Sequence, residues 1–158
     1  MNELEELKPG EIPGIPVRTL EERDLDAIVR IDALHVGRSR REYFRKKVEA
    51  ALRDTGVRVS LVAEQDGLVV GFLMGAVYYG EFGRSEASAV LDSIGVHPDF
   101  GRHGIGKALL EQLCKNLAAL GVERLETQVE WSDWALTSFL AGHGFHPAPR
   151  LCLERNVR

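Results

Sequence analysis

Residues Gly101 to Lys107 read Gly-Arg-His-Gly-Ile-Gly-Lys, three glycines and three basic side chains set just ahead of the strongest apolar repeat in the chain. That repeat, Ile105, Leu109, Leu113 and Leu117, with Ala108 and Leu120 alongside, predicts a helix ended by Gly121. The first turn of a helix has unpaired backbone N–H groups and a partial positive charge, and glycine lets an anion approach that backbone closely. Arg102, His103 and Lys107 add cationic side chains in a chain whose net charge is −4. A polyphosphate ligand follows from this combination. Gly101 and Gly106-Lys107 have the spacing of a P-loop, but Ala108 stands where that loop needs a hydroxyl for Mg²⁺. A dinucleotide fingerprint starting at Gly104-Ile105-Gly106 would need glycine at Leu109. The bland alternative is a glycine-rich turn before a helix with a few surface cations.

Just upstream, Asp92 is a lone acid within the apolar run Ala89 to Val96. Burial there would make it a better proton acceptor; the alternative is a carboxylate that bonds Ser93 or a loop amide. Gly95, inside the same strand, marks either a bulge or a place where a ligand approaches the backbone. Cys114 and Cys152 are too few for a disulfide framework and lack metal-ligand spacing, which fits two inert, partly buried thiols in a reducing cytoplasm. His143 and His146 have no further ligands nearby, so no metal is expected.

The elements that position these residues follow from periodicity and turn chemistry. Val17 to Leu20 predicts a strand and Glu21 to Leu34 a helix with Leu25, Ile28, Ile31 and Leu34 inward. Ser39 and Glu42 have capping-box spacing for a second helix, which buries Phe44, Val48, Ala51 and Leu52 and ends at Gly56. Val57 to Glu64 and Leu68 to Tyr79 predict a hairpin turning at Asp66-Gly67. Gly80 to Glu86 is a loop and Ala87 to His97 a strand stopped by Pro98. After the glycine loop and its helix come a strand from Val122 to Glu130, a helix capped by Ser132 or Asp133 and running to about His143, and a last strand from Phe145 to Glu154. The order β-α-α-β-β-β-α-β-α-β points to an α/β fold, a mixed sheet with helices on both faces.

The whole chain sets bounds. Its 158 residues suit one domain, 17–158, behind an acidic tail (Met1 to Pro16) that has no apolar run for a signal peptide or membrane anchor. With 44% hydrophobic and 28% charged residues the composition is globular, and 24 acidic against 20 basic side chains leave no broad field for nucleic acid or a membrane surface.

Taken together, these motifs resemble the GNAT superfamily of N-acetyltransferases. Its signature, (Gln/Arg)-x-x-Gly-x-(Gly/Ala), is filled by Gly101-Arg102-His103-Gly104-Ile105-Gly106, after Ile94-Gly95-Val96-His97-Pro98 where the family has a strand ending in Val-x-Pro. Gly101 departs from the first position, with Arg102 displaced by one. The resemblance implies a mostly antiparallel mixed sheet, direct transfer of acetyl from acetyl-CoA to an amine, a pyrophosphate held by Gly101 to Lys107, and a pantetheine arm bonded to main-chain groups of Ile94 and Val96 beside Gly95. It implies that Asp92 is the base for an ammonium of ordinary pKa about 10.4. On the last helix the family reads Asn-x-x-Ala-x-x-Phe-Tyr before Gly-Phe. Asp133 takes the Asn position and joins the cofactor set, Leu136 the Ala position, Phe139 matches, and Leu140 replaces the tyrosine that serves as general acid. A thiol of pKa about 8.5 leaves fairly well without it. Tyr78 or Tyr79 is a candidate substitute, although strand tyrosines also serve as packing. The acceptor groove implied by the resemblance takes in Tyr78, Tyr79, Glu81 and Phe82, the His35 to Arg40 connection, and Trp131 and Trp134, aromatics suited to a cationic amine. The two tryptophans equally suit a core edge. Relatives dimerise through sheet edges or last strands, so a homodimer is one arrangement the family offers. Two other functions stay open: a non-catalytic acyl-CoA sensor, favoured by Leu140 and Gly101, and a nucleotide-binding protein, opposed by Ala108.

Overall fold

In the computed structural model, which describes residues 14–53 and 59–158, the apolar alternating segments pair into one sheet. Strands β1 (Val17–Thr19), β2 (Leu61–Gln65), β3 (Leu68–Tyr78), β4 (Ser88–Val96) and β5 (Leu125–Glu126) lie side by side in chain order. Neighbours are antiparallel except β4 and β5, which are parallel. Helix α3 (Ile105–Ala119) makes the crossover that parallel pairing requires. Asp66 and Gly67 both have positive φ (51° and 77°), which makes the β2–β3 turn of the primed type that matches strand twist.

Period-two alternation separates the two faces. Val62, Phe72 and Met74 share a buried cluster with Ile28 and Ile31 of α1 (Leu25–Val36) and Phe44 and Val48 of α2 (Arg41–Arg53). On the other face Gly71 abuts α3: a Cβ there would lie 2.7 Å from Ile105 Cγ2 and 3.3 Å from Leu109 Cδ1. Glycine at that point lets the first turn of α3 rest directly on the strand. Ile105, Leu109, Leu113 and Leu117 are all buried, as their spacing predicts. Leu120 is not: it follows the last helical residue and is 47% exposed, with Gly121 left-handed beyond it.

Several boundaries shift. Helix α1 starts at Leu25, directly after a single 3-10 turn, Glu22–Asp24, and Leu34 on its last turn is exposed rather than inward. Helix α2 begins at Arg41, and Glu42 pairs with Arg45 (2.7 Å) instead of reaching back to Ser39. The expected helix stop at Gly56, the start of the strand at Val57 and most of the N-terminal tail lie outside the described residues. Among the described residues, no helix is long and apolar enough to cross a membrane.

The chain divides into a larger unit ending at Thr127 and a smaller one, Gln128–Arg158. The smaller unit contains α4 (Trp134–Ala141), capped as predicted by Asp133, whose Oδ1 accepts the Leu136 N–H at 3.0 Å. The expected strand from Phe145 to Glu154 does not form. Pro147 and Pro149 remove two ladder donors, and the alternating Leu151 and Leu153 that suggest a strand are 88% and 86% exposed. The strand expected from Val122 to Glu130 shortens to the two residues of β5.

Candidate active site

Strand β4 leaves the sheet at Val96 and turns through a single 3-10 turn, Pro98–Phe100, steadied by His97 Nδ1 accepting the Asp99 N–H at 3.1 Å. Two left-handed residues follow, Arg102 (φ 64°) and Gly104 (φ 78°), and the second is the N-cap of α3. For arginine that conformation costs on the order of 1 kcal/mol and is typical of ligand-binding turns. The first helical bond is Ala108 N–H to the Gly104 carbonyl (2.9 Å), so the N–H groups of Ile105, Gly106 and Lys107 have no acceptor within the helix. No acidic side chain occupies that first turn to compensate them. Gly101, Arg102, His103 and Lys107 are exposed around it, while Ile105 is buried and anchors the turn. Lys107 lies 3.8 Å from Glu111.

The register of β3 and β4 slips by one at Met74 and Gly75: Met74 pairs with Ser93 and Gly75 with Leu91. Asp92 is therefore the extra residue of a β-bulge, a device that re-aims side chains. The bulge is at Asp92 and not at Gly95. Glycine is needed at position 95 because a Cβ there would meet the Phe72 ring at 2.6 Å. Asp92 itself is not buried; its side chain is 38% exposed and bonds neither Ser93 nor a loop amide, but Lys47 Nζ at 2.6 Å. Burial of the Lys47 ammonium works against its charge, yet the hydrogen bond and charge of Asp92 outweigh that and hold it above the ordinary lysine value. Lys47 is thus cationic at neutral pH. Ser93 Oγ is buried without a hydrogen-bond partner among the described residues.

Beyond the bulge, no described strand of the larger unit pairs with β4 on the side away from β3. Strand β5 pairs only at Ala89 and Val90, and the Thr127 hydroxyl donates to the Leu91 carbonyl at 2.7 Å. The His97 N–H bonds the Val70 carbonyl on the β3 side, so by alternation the main-chain groups of Val96 and Ile94 face away from β3. One of them has a partner: His35 Nε2 bonds the Val96 carbonyl at 2.6 Å.

On the α2 face of the sheet, Lys47, Asp92, Tyr78, Ser60 and Met74 line a cleft of about 270 Å³. Tyr78 is the only one of the four predicted substrate residues among its described lining. Tyr79 is 70% exposed next to it in sequence, and Phe82 is 90% exposed. Trp131 and Trp134 belong to the smaller unit and are 92% and 70% exposed, so neither fills a core edge. Leu140, at the position of the family's tyrosine, is buried. Sequence reasoning missed Lys47, although Phe44, Lys47, Val48 and Ala51 share one helical face and a lysine there has little room except toward the sheet.

Both cysteines reach solvent, the Cys114 thiol with part of its surface covered. Desolvation of the Cys114 thiol, followed by the charge of Glu111, raises its pKa, which keeps it protonated and unreactive at neutral pH. His143 and His146 bond backbone carbonyls of Phe139 and Pro147, and no group of three metal-ligating side chains occurs among the described residues.

Comparison with known proteins bears on this geometry. The acetyltransferase (GNAT) family model matches residues 25–145. Among solved structures, the ribosomal-protein-S18-alanine N-acetyltransferase from Escherichia coli is similar at 27% identity and a TM-score of 0.68, covering 85% of this chain and 79% of that one. The aminoglycoside 6'-N-acetyltransferase AAC(6')-Ih from Acinetobacter baumannii shares the fold at 16% identity and a TM-score of 0.75, over 92% and 100% of the chains. So does the aminoglycoside N-acetyltransferase AAC(6')-Iy in complex with CoA, at 17% identity and a TM-score of 0.75, over 91% and 95%.

Proposed function

The chain belongs to the GNAT acetyltransferase family and is by class an N-acetyltransferase, and from that premise we propose that it moves acetyl from acetyl-CoA to a primary amine by direct attack on the thioester. The observation that carries this reading is the continuous run from the bulge at Asp92, along the side of β4 away from β3, to the uncompensated first turn of α3. An extended chain of amides ending in a pyrophosphate has groups to match each part. Ile94 and Val96 offer main-chain donors and acceptors, with Gly95 between them. Ser93 Oγ, a buried hydroxyl without a partner among the described residues, fits the same ligand. The N–H groups of Ile105, Gly106 and Lys107 and the left-handed turn Gly101 to Gly104 would hold the pyrophosphate, with Arg102, His103 and Lys107 supplying charge. Asp133, in the smaller unit, is a further candidate cofactor-binding residue, and the family match over residues 25–145 supports reading 17–158 as one acetyltransferase domain.

Acetyl-CoA supplies an activated carbonyl and a thiolate leaving group. Asp92 takes the proton of the acceptor ammonium, directly or through water, and the freed nitrogen lone pair attacks the carbonyl carbon. The C–S bond breaks with its electron pair on sulfur. The nitrogen sheds its second proton to water, and, since Leu140 has no proton to give, water passes one to the sulfur. Because Lys47 holds Asp92 at 2.6 Å, the acceptor ammonium must share or replace that contact before Asp92 can act. Tyr78, which lines the cleft, would contact the acceptor, with Tyr79 next to it in sequence.

Calorimetry with acetyl-CoA, longer acyl-CoAs and ATP, followed by thiol release over a panel of amines and peptides, tests the reading. Acetyl-CoA binding with amine-dependent thiol release is expected. Binding without turnover would favour an acyl-CoA sensor, and ATP binding alone would overturn the reading.

A further inference from the structure

The cleft on the α2 face holds two charged side chains among its described lining, Lys47 and Asp92, and they are spent on each other. Their charges cancel. The rest of that lining is mostly apolar, with Leu20, Leu52, Val59 and Met74 among it. An acceptor that brings only an ammonium to Asp92 pushes the Lys47 ammonium off its carboxylate and leaves two like charges side by side in a half-buried site. An acceptor with several ammonium groups makes this worse.

Resting on the assignment of Asp92 as the base, we propose that the acceptor is a small amine with its own carboxylate beside the nitrogen, that is, an α-amino acid with an apolar side chain. Its ammonium takes Asp92 and its carboxylate takes Lys47, so each charge of the resting ion pair exchanges one partner for another and none is stranded. The apolar side chain lies against the aliphatic lining. The cleft, of about 270 Å³, has room for a molecule of that size. Lys47 is therefore a specificity residue, held in place by its position on the sheet-facing side of α2 and by the Tyr43 ring 5.8 Å from its Nζ.

The test is the initial rate of thiol release from acetyl-CoA by the full chain with leucine, leucinamide, isoamylamine and spermidine. Leucine is expected to have the highest kcat/KM, with leucinamide and isoamylamine lower by about tenfold, mostly in KM, the effect of one lost charge-assisted contact. In Lys47→Met the ratio of leucine to isoamylamine collapses toward unity, while Lys47→Arg restores it. Acetyl-CoA affinity, measured in parallel, stays unchanged in both variants and reports that they are folded. Equal or better turnover of leucinamide, isoamylamine or spermidine by the wild type overturns the proposal while leaving an acetyltransferase. A ratio that survives Lys47→Met also overturns it. Absence of thiol release with every amine overturns both the proposal and the reading it rests on.

Discussion

Asp92 and Gly104 owe their usefulness to backbone geometry more than to their side-chain chemistry. Asp92 is the unpaired residue of a bulge, which turns its carboxylate toward α2, where an ordinary strand position would have fixed it by simple alternation. Gly104 has φ 78° and caps α3 with no side chain in the way of an incoming anion. Replacing it with alanine forces a Cβ into the left-handed region, and we expect a loss of about 1 kcal/mol of stability together with weaker acetyl-CoA binding, read by denaturant titration and calorimetry. Lys107→Ala, by contrast, should weaken acetyl-CoA binding several-fold without changing kcat, because its proposed role is at the phosphates and not at the reacting centre; the same assay run at rising salt should show a shallower dependence for the variant.

Among the elements, the contact between β3 and α3 sets the geometry of the loop. Gly71 admits Ile105 to within van der Waals contact of the strand, and that contact fixes where the first turn of α3 points its N–H groups. Gly71→Val should lower stability by about 2 kcal/mol through overpacking and weaken acetyl-CoA binding although no phosphate contact is altered. Thermal unfolding and calorimetry check the two effects separately. What was legible in the sequence divides along the same line. The four-residue repeat of α3, the Asp66-Gly67 turn and the Asp133 cap are local patterns, and each forms as read. The bulge and the Lys47–Asp92 pair were not legible, because each depends on which residue of a distant segment lies opposite. The last strand was misread for the converse reason: Leu151 and Leu153 alternate, but Pro147 and Pro149 interrupt the ladder that would have paired them.

For the molecule as a whole, the sheet edge at β1 is secured by a partly buried ionic network. Arg18 donates to both oxygens of Asp24 at 2.8 Å and to Glu64 at 2.7 Å, and Asp24 also accepts the Glu21 N–H. Burial disfavours the Asp24 charge, but the Arg18 hydrogen bonds, the Glu21 amide and the nearby positive charges together hold its carboxyl below the ordinary value of 3.8. A depressed carboxyl contributes stability that is complete above its unfolded-state pKa and is lost as pH falls through the folded-state value. Stability should therefore decline as pH drops below about 4, and Asp24→Asn should flatten that decline while costing about 2 kcal/mol at neutral pH, since the Arg18 guanidinium keeps Glu64 but loses its bidentate carboxylate partner. Urea titrations from pH 2 to 7, on the scale set by carboxylate titration, give both quantities.

The central claim, that this fold runs acetyl transfer with Asp92 as its base, is tested most directly by comparing thiol release from acetyl-CoA in the wild type and Asp92→Asn with one saturating amine, with acetyl-CoA affinity measured alongside. Amine-dependent release is expected in the wild type, with a fall in kcat of about a hundredfold in the variant and unchanged acetyl-CoA affinity. Equal kcat in the two proteins across neutral and alkaline pH would contradict it.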